Sequence, residues 1–281
     1  MIRRLRSSAP AETRTTHKPP IPLPHEIIEM IIAHLIFDRR ALKACSLTCY
    51  SWYLVAVPHL HHTITFGGYK YGAAHSRLEP LSKLHELGII PLVAEIQVWE
   101  GVDPWFTPRG FSPRDLRYFS AFTNVQKLTL LSTSISSFIP EVERYFGQFS
   151  ATLRSITLYK PYCTPRQLSY FLSLFSNLDN VEIRGIVLPY YFAIPDTELV
   201  PISALKLRGR LVLDSFHEVE TWKDLITSHN SLRFRAMVLR NVGGCAAVLL
   251  GACSETLETL RLFPVEANCK WPGMDPPTEL G

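Results

Sequence analysis

No run of eighteen or more apolar residues occurs in the 281-residue sequence, so no segment is long and apolar enough to span a membrane as a helix. The amino-terminal residues lack the apolar core of a secretory signal. Cysteine is scarce: the six residues Cys45, Cys49, Cys163, Cys245, Cys253 and Cys269 show no paired zinc spacing, and most sit in apolar runs. Reduced, buried thiols in a cytoplasmic or nuclear protein are the expectation. Charge imbalance is confined to residues 1–20, where Arg3, Arg4, Arg6, Arg14 and Lys18 oppose a single Glu12. That excess accounts for the whole formal net charge of +4, so the rest of the chain is balanced, which argues against nucleic acid as a partner. Residues 1–18, rich in Ser, Thr, Ala and Pro, read as a disordered basic tail.

Catalytic signatures are missing too. His-Glu occurs at His25-Glu26, His85-Glu86 and His217-Glu218, but Glu29, Ile89 and Thr221 stand where a helical zinc site needs histidine. The Gly67–Gly72 stretch lacks the glycine spacing and the Lys-Ser/Thr ending of a phosphate loop and reads as a turn. His59, His61 and His62 have no acid or thiol at ligand spacing and read as a polar edge. No Gly-x-Ser-x-Gly elbow exists. We therefore expect a non-catalytic chain without cofactor or metal.

What is present begins at residues 19–62. A first helix is expected from Leu23-Pro24, where proline at the opening position loses only an amide without a partner, with Glu26 suiting the helix dipole. Ile27, Ile28, Met30, Ile31, Ile32, Leu35 and Ile36 cover an arc of roughly 240° at about 100° per residue. One small core needs less, so the segment should dock on a partner. Asp38 is the expected cap of a second helix carrying Leu42, Cys45 and Cys49, and a third helix with Trp52, Val55 and Ala56 should stop before Pro58.

Leu23-Pro24, Glu26-Ile27, Ile31, Leu35, Leu42, the Cys45–Cys49 run, Trp52 and Leu60 together resemble an F-box. Tyr50-Ser51 departs from that pattern, since many members carry arginine before the tryptophan. The resemblance implies docking on a Skp-family adaptor, and through it on cullin and RING subunits of a ubiquitin ligase. Leu23, Pro24, Ile27, Ile31, Leu42 and Trp52 are the adaptor-facing residues it implies.

Residues 63–91 read as a connector, with a helix expected over about 79–87 and ended by Gly88. From residue 92 to 265 a repeat appears: apolar, two of any kind, apolar, any, apolar. It occurs at Val93/Ile96/Val98, Val125/Leu128/Leu130, Leu153/Ile156/Leu158, Leu178/Val181/Ile183, Ile202/Leu205/Leu207, Phe234/Met237/Leu239 and Leu257/Leu260/Leu262. Helix-like pieces open at Ser112-Pro113, Pro140, Thr164-Pro165 and Thr221, and a more apolar one covers Ala246–Leu250. Leu211–Leu213 reads as an extra strand.

Such units bury a core only by stacking. The expected fold class is α/β: a three-helix F-box, then a leucine-rich-repeat-like solenoid with a curved parallel sheet and outer helices, then a flexible tail over 266–281. Strand alternation places Trp99, Leu131, Tyr159, Arg184, Arg208, Arg240 and Phe263 in one line on the concave face, with Arg261 beside it. Trp99 and Tyr159 are the expected anchors, and Arg184, Arg208, Arg240 and Arg261 the expected contacts, for an acidic or phosphorylated protein substrate. The rival expectations are an F-box scaffold that marks no substrate and an enzyme on the repeat surface.

Overall fold

The computed structural model describes residues 23–67, 85–86, 88–99, 117–135, 144–186, 207–216, 232–242 and 245–263. The chain divides into two compact units, the first ending at Val57 and the second beginning at Pro58. In the first, α1 spans His25–His34 and α2 Arg39–Ser46, and α3, Tyr50–His61, begins there and ends in the second. Pro24 caps α1 rather than opening it: its backbone is extended, and its carbonyl accepts from the Ile27 and Ile28 amides at 3.1 and 3.2 Å. Asp38 caps α2 as expected, its Oδ1 accepting from the Arg40 and Ala41 amides at 2.9 and 3.0 Å. The helix α3 does not stop before Pro58 but runs through it to His61. Proline there forfeits only the amide that would have bonded the Leu54 carbonyl, and the remaining turns continue.

The second unit is one sheet whose eight described strands stand in sequence order, each parallel to the next. They are β1 (Thr63–Gly67), β2 (Glu95–Trp99), β3 (Lys127–Leu131), β4 (Ser155–Tyr159), β5 (Asn180–Arg184), β6 (Arg208–Phe216), β7 (Arg233–Val242) and β8 (Thr259–Phe263). Thr63–Gly67, inside the stretch read as a connector, is the first strand of the sheet and pairs with β2 in full register. Sequence-adjacent parallel neighbours at every step give an α/β solenoid-like fold.

Alternation along the strands sends Ile96/Val98, Leu128/Leu130, Ile156/Leu158, Val181/Ile183, Leu211/Leu213 and Met237/Leu239 into one buried core. Aromatic rings thread through that core from repeat to repeat. Phe66 meets Phe119 at 5.1 Å between centroids, Phe119 stacks on Phe146 at 5.2 Å, Phe146 meets Phe171 at 6.2 Å, and Phe171 meets Phe175 at 5.3 Å. At the far end Leu260 and Leu262 of β8 are exposed.

The connections are short where described. Arg117–Ala121 and Gly147–Ala151 are 3₁₀ turns, whereas Pro165–Ser173 is an α-helix, α4. The Thr164-Pro165 opening is a full capping box: Thr164 Oγ1 accepts from the Gln167 amide at 3.2 Å, and Gln167 Oε1 from the Thr164 amide at 3.0 Å. The apolar piece near the end is α5, Cys245–Cys253, with Leu249 and Cys253 in the core. Of the helix expected over 79–87, His85 and Glu86 are helical, and Gly88 follows at φ +66°. The helix expected from Thr221 lies outside the described residues, as do the openings at Ser112 and Pro140.

One backbone feature recurs where strands end. Ser132, Lys160, Gly185, Ser215 and Asn241 all take left-handed φ, between 48° and 59°, and each follows the same register position on β3 to β7. The amides of Ser132, Lys160 and Gly185 donate to the Tyr159, Arg184 and Asp214 carbonyls of the next strand at 2.7 to 2.8 Å. β3, β4 and β5 thus end in the same manner, whichever side chain occupies the turn, and β6 and β7 pass through the same conformation one residue before they end.

The fifth repeat departs from the sequence reading. Val181 and Ile183 pair with Leu211 and Leu213, so the apparent extra strand is the repeat itself. Leu207 is buried just ahead of it, while Ile202 and Leu205 lie outside the described residues. The register shifts at Gly209/Arg210, and Gly209 has φ +76°. A Cβ there would lie 2.1 Å from the Asp179 carbonyl oxygen, the group that accepts from the Arg210 amide at 2.7 Å. At Gly185 the nearest atom to an added Cβ is Lys160 Cγ at 3.6 Å, an ordinary contact. Gly185→Ala should therefore cost about 1 kcal/mol from backbone conformation alone. Gly209→Ala should cost clearly more, because the ladder must shift; equal costs in urea unfolding would contradict the close approach.

Candidate protein-interaction sites

The first unit leaves apolar side chains in water. Of the residues expected to face a partner, Leu23 is 49% exposed, Ile27 is 36% exposed and Pro24 is exposed, while Ile31 and Trp52 are half-buried. Leu42 is 1% exposed. It is interior, because α2 turns its most apolar position inward, so it supports the surface and does not form it. Met30, Ile36, Phe37, Leu47, Tyr50, Tyr53 and Leu54 are exposed as well, Phe37 by 96%. For Met30 and Ile36 the signal in the sequence was the over-wide apolar arc of α1, whereas Leu47, Tyr50, Tyr53 and Leu54 lie at the end of α2 and on α3, outside that arc. Helix periodicity alone does not say which part of such an arc is interior.

The second surface is the sheet face opposite the core. Full register across the strands sorts it into three rows. The middle row runs Thr65, Gln97, Thr129, Thr157, Glu182, Val212, Val238, Arg261. The last row runs Gly67, Trp99, Leu131, Tyr159, Arg184, Asp214, Arg240, Phe263. Arg208 is not in it. It sits at the start of β6 opposite Arg233, because the strand begins later in the sequence than the repeat spacing implied, and Asp214 takes the place expected for it. The line of arginines is thus interrupted by a carboxylate. Arg184 is paired as well, its Nε donating to Glu182 Oε1 at 2.7 Å. The Arg240 guanidinium lies over the Phe263 ring at 5.1 Å, and the Lys160 ammonium over the Tyr159 ring at 5.8 Å.

In the remaining row, Glu95 holds three strands together. Its carboxylate accepts from Lys127 Nζ at 2.9 Å, from Gln97 Nε2 at 3.2 Å and from Thr63 Oγ1 at 3.2 Å. Burial pushes its pKa up, but the hydrogen bonds from Lys127 and Gln97, the Lys127 charge and the Thr63 hydroxyl outweigh it and hold the carboxyl below its ordinary value.

Residues 22–67 match the F-box-like family model. No curated protein matches the chain. The F-box-like match spans α1, α2, α3 and β1, so it takes in every exposed apolar side chain named above. Tyr50, within the matched residues, is 73% exposed and adds an aromatic ring to that surface.

Among the described residues, no group of three or more His, Cys, Asp or Glu side chains gathers to hold a metal, and no helix is long and apolar enough to cross a membrane. An apolar void of about 10 Å³ lies among Leu172, Val181, Ile183, Leu207, Leu211, Leu232, Phe234 and Leu249, room for a single water at most. Burial pushes the Cys163 thiol up to about 12, so it stays protonated and is no nucleophile at neutral pH.

Because the folded-state pKa of Glu95 is lowered, its stabilising contribution is complete above the ordinary glutamate value near 4.3 and is lost as pH falls through the lowered one. Urea unfolding between about pH 5 and 2.5 should show the parent losing stability more steeply than Glu95→Gln. Identical pH slopes would remove Glu95 from the acid response.

Proposed function

We propose that the chain is the substrate-recognition adaptor of a Skp/cullin/F-box ubiquitin ligase. One observation carries the reading: the segment matching the F-box-like model exposes Leu23, Ile27, Met30, Phe37 and Tyr50 together, more apolar surface than a unit of this size leaves in water without a partner. The Skp-family adaptor fits that surface and brings the cullin and RING subunits with it. The second unit, read as leucine-rich-repeat-like, then offers its sheet face to a protein substrate, with Tyr159 and Trp99 as aromatic anchors and Arg240 and Arg261 as charged contacts.

Such a chain catalyses nothing itself. By holding a target near the charged ubiquitin carrier, it raises the effective concentration of the target's lysines at the thioester, and the chemistry belongs to its partners.

Leu23 and Ile27 provide the test, since both are exposed and their removal leaves the interior intact. Leu23→Ala/Ile27→Ala should lower capture of a purified Skp-family adaptor at least tenfold while the thermal midpoint stays within a degree or two of the parent. Undiminished capture by the double variant, or none by the folded parent, would overturn the reading.

A further inference from the structure

The corrected register defines what kind of segment the sheet face suits. Along the last row, Leu131 and Tyr159 stand on adjacent strands, and Tyr159 is 40% exposed. Beyond them Arg184 is occupied by Glu182, and the Asp214 carboxylate accepts from Ser215 Oγ at 3.0 Å. The next row position is Arg240, held flat on the Phe263 ring. Arg261 is one strand further in the middle row, exposed, and among the described residues it makes no ion pair. Beside these two arginines the middle row is apolar and closed to water: Val212 is 7% and Val238 5% exposed. Neither valine belongs to the main core, so this is a second dry floor, on the opposite face of the sheet. A guanidinium at the margin of such a floor is screened less than one standing free in water.

Leu131 and Arg240 are four strands apart, and Tyr159 and Arg240 three. At about 4.8 Å per strand these separations are roughly 19 and 14 Å, which an extended chain rising about 3.3 Å per residue covers in about six and four residues. We propose that the substrate site takes an extended protein segment laid across the strands. An apolar or aromatic residue of that segment rests on Leu131 and Tyr159, and an anionic side chain, carboxylate or phosphate, four to six residues along it is held by Arg240 and Arg261. Arg184 and Arg208 are not part of the anion site. The inference rests on the substrate-adaptor reading above and names the substrate's chemistry.

The probe is a displayed library of random 12-residue peptides, selected on the full chain. Enriched peptides should share an apolar residue and an Asp or Glu four to six positions away. Remade as soluble peptides, they should lose affinity about tenfold when the acid becomes glutamine, and phosphoserine in place of the acid should restore binding if phosphate is the natural source. Arg240→Gln/Arg261→Gln should abolish the acid preference, whereas Arg208→Gln should leave it unchanged. No enrichment, enrichment without the acid, or a preference that survives Arg240→Gln/Arg261→Gln would each overturn the proposal. Capture of the Skp-family adaptor, measured on the same proteins, separates the two readings: its loss in the parent strikes the adaptor reading, and its retention with lost peptide selection strikes this one alone.

Discussion

The in-register parallel ladder is the constraint on which everything in the second unit depends. Each strand repeats its neighbour's phase, so Ile96, Leu128, Ile156, Val181, Leu211 and Met237 all meet on one side of the sheet. A slip of one residue at any junction would turn a strand inside out, sending leucines to water and Thr157 or Glu182 into the core. The stacked phenylalanines oppose such slips, because Phe119, Phe146 and Phe171 come from successive connections and touch only when the units are in phase. The left-handed residue shared by β3 to β7 at or next to their ends does the same work from the strand ends. The same ladder orders the polar face, so the positions of Tyr159, Asp214 and Arg240 follow from core packing and not from contacts of their own.

Much of this was legible where a residue type has a single physical use. Asp38 before a helix and Thr164-Pro165 announced their caps, and six of the seven repeat patterns mark observed strands. Elsewhere local pattern met a competing effect. The strand β1 offers only Ile64 and Phe66 as inward positions, too few to stand out, and takes its place through pairing with β2. At β6 two apolar runs competed. The choice between Leu205/Leu207 and Leu211/Leu213 depended on Gly209, whose lack of Cβ lets the chain pass the Asp179 carbonyl. That one choice moved Arg208 out of the row and Asp214 into it. In the first unit, Leu42 and Leu23 look alike to periodicity, and only packing separates the interior one from the exposed one.

The two units divide the proposed work by chemistry. Residues 23–57 expose many apolar side chains, suited to a partner subunit whose binding buries hydrocarbon. The sheet face mixes rings, threonines and salt bridges, suited to a partner that must be chosen and then released. Neutralised pairs such as Glu95–Lys127 and Glu182–Arg184 fix the face without leaving charge to attract a partner, and Arg240 and Arg261 stand apart from them.

The register that places Asp214 beside Arg240 can be measured directly. Spin labels would be attached at Asp214→Cys and Arg240→Cys, in a chain whose Cys45, Cys49, Cys245 and Cys269 are serine, and compared with labels at Arg208→Cys and Arg240→Cys. Adjacent strand partners are about 5 Å apart and a six-residue offset along a strand adds roughly 20 Å. Strong dipolar broadening for the first pair and none for the second is the predicted result. Broadening of the second pair and not the first would contradict the account at its foundation.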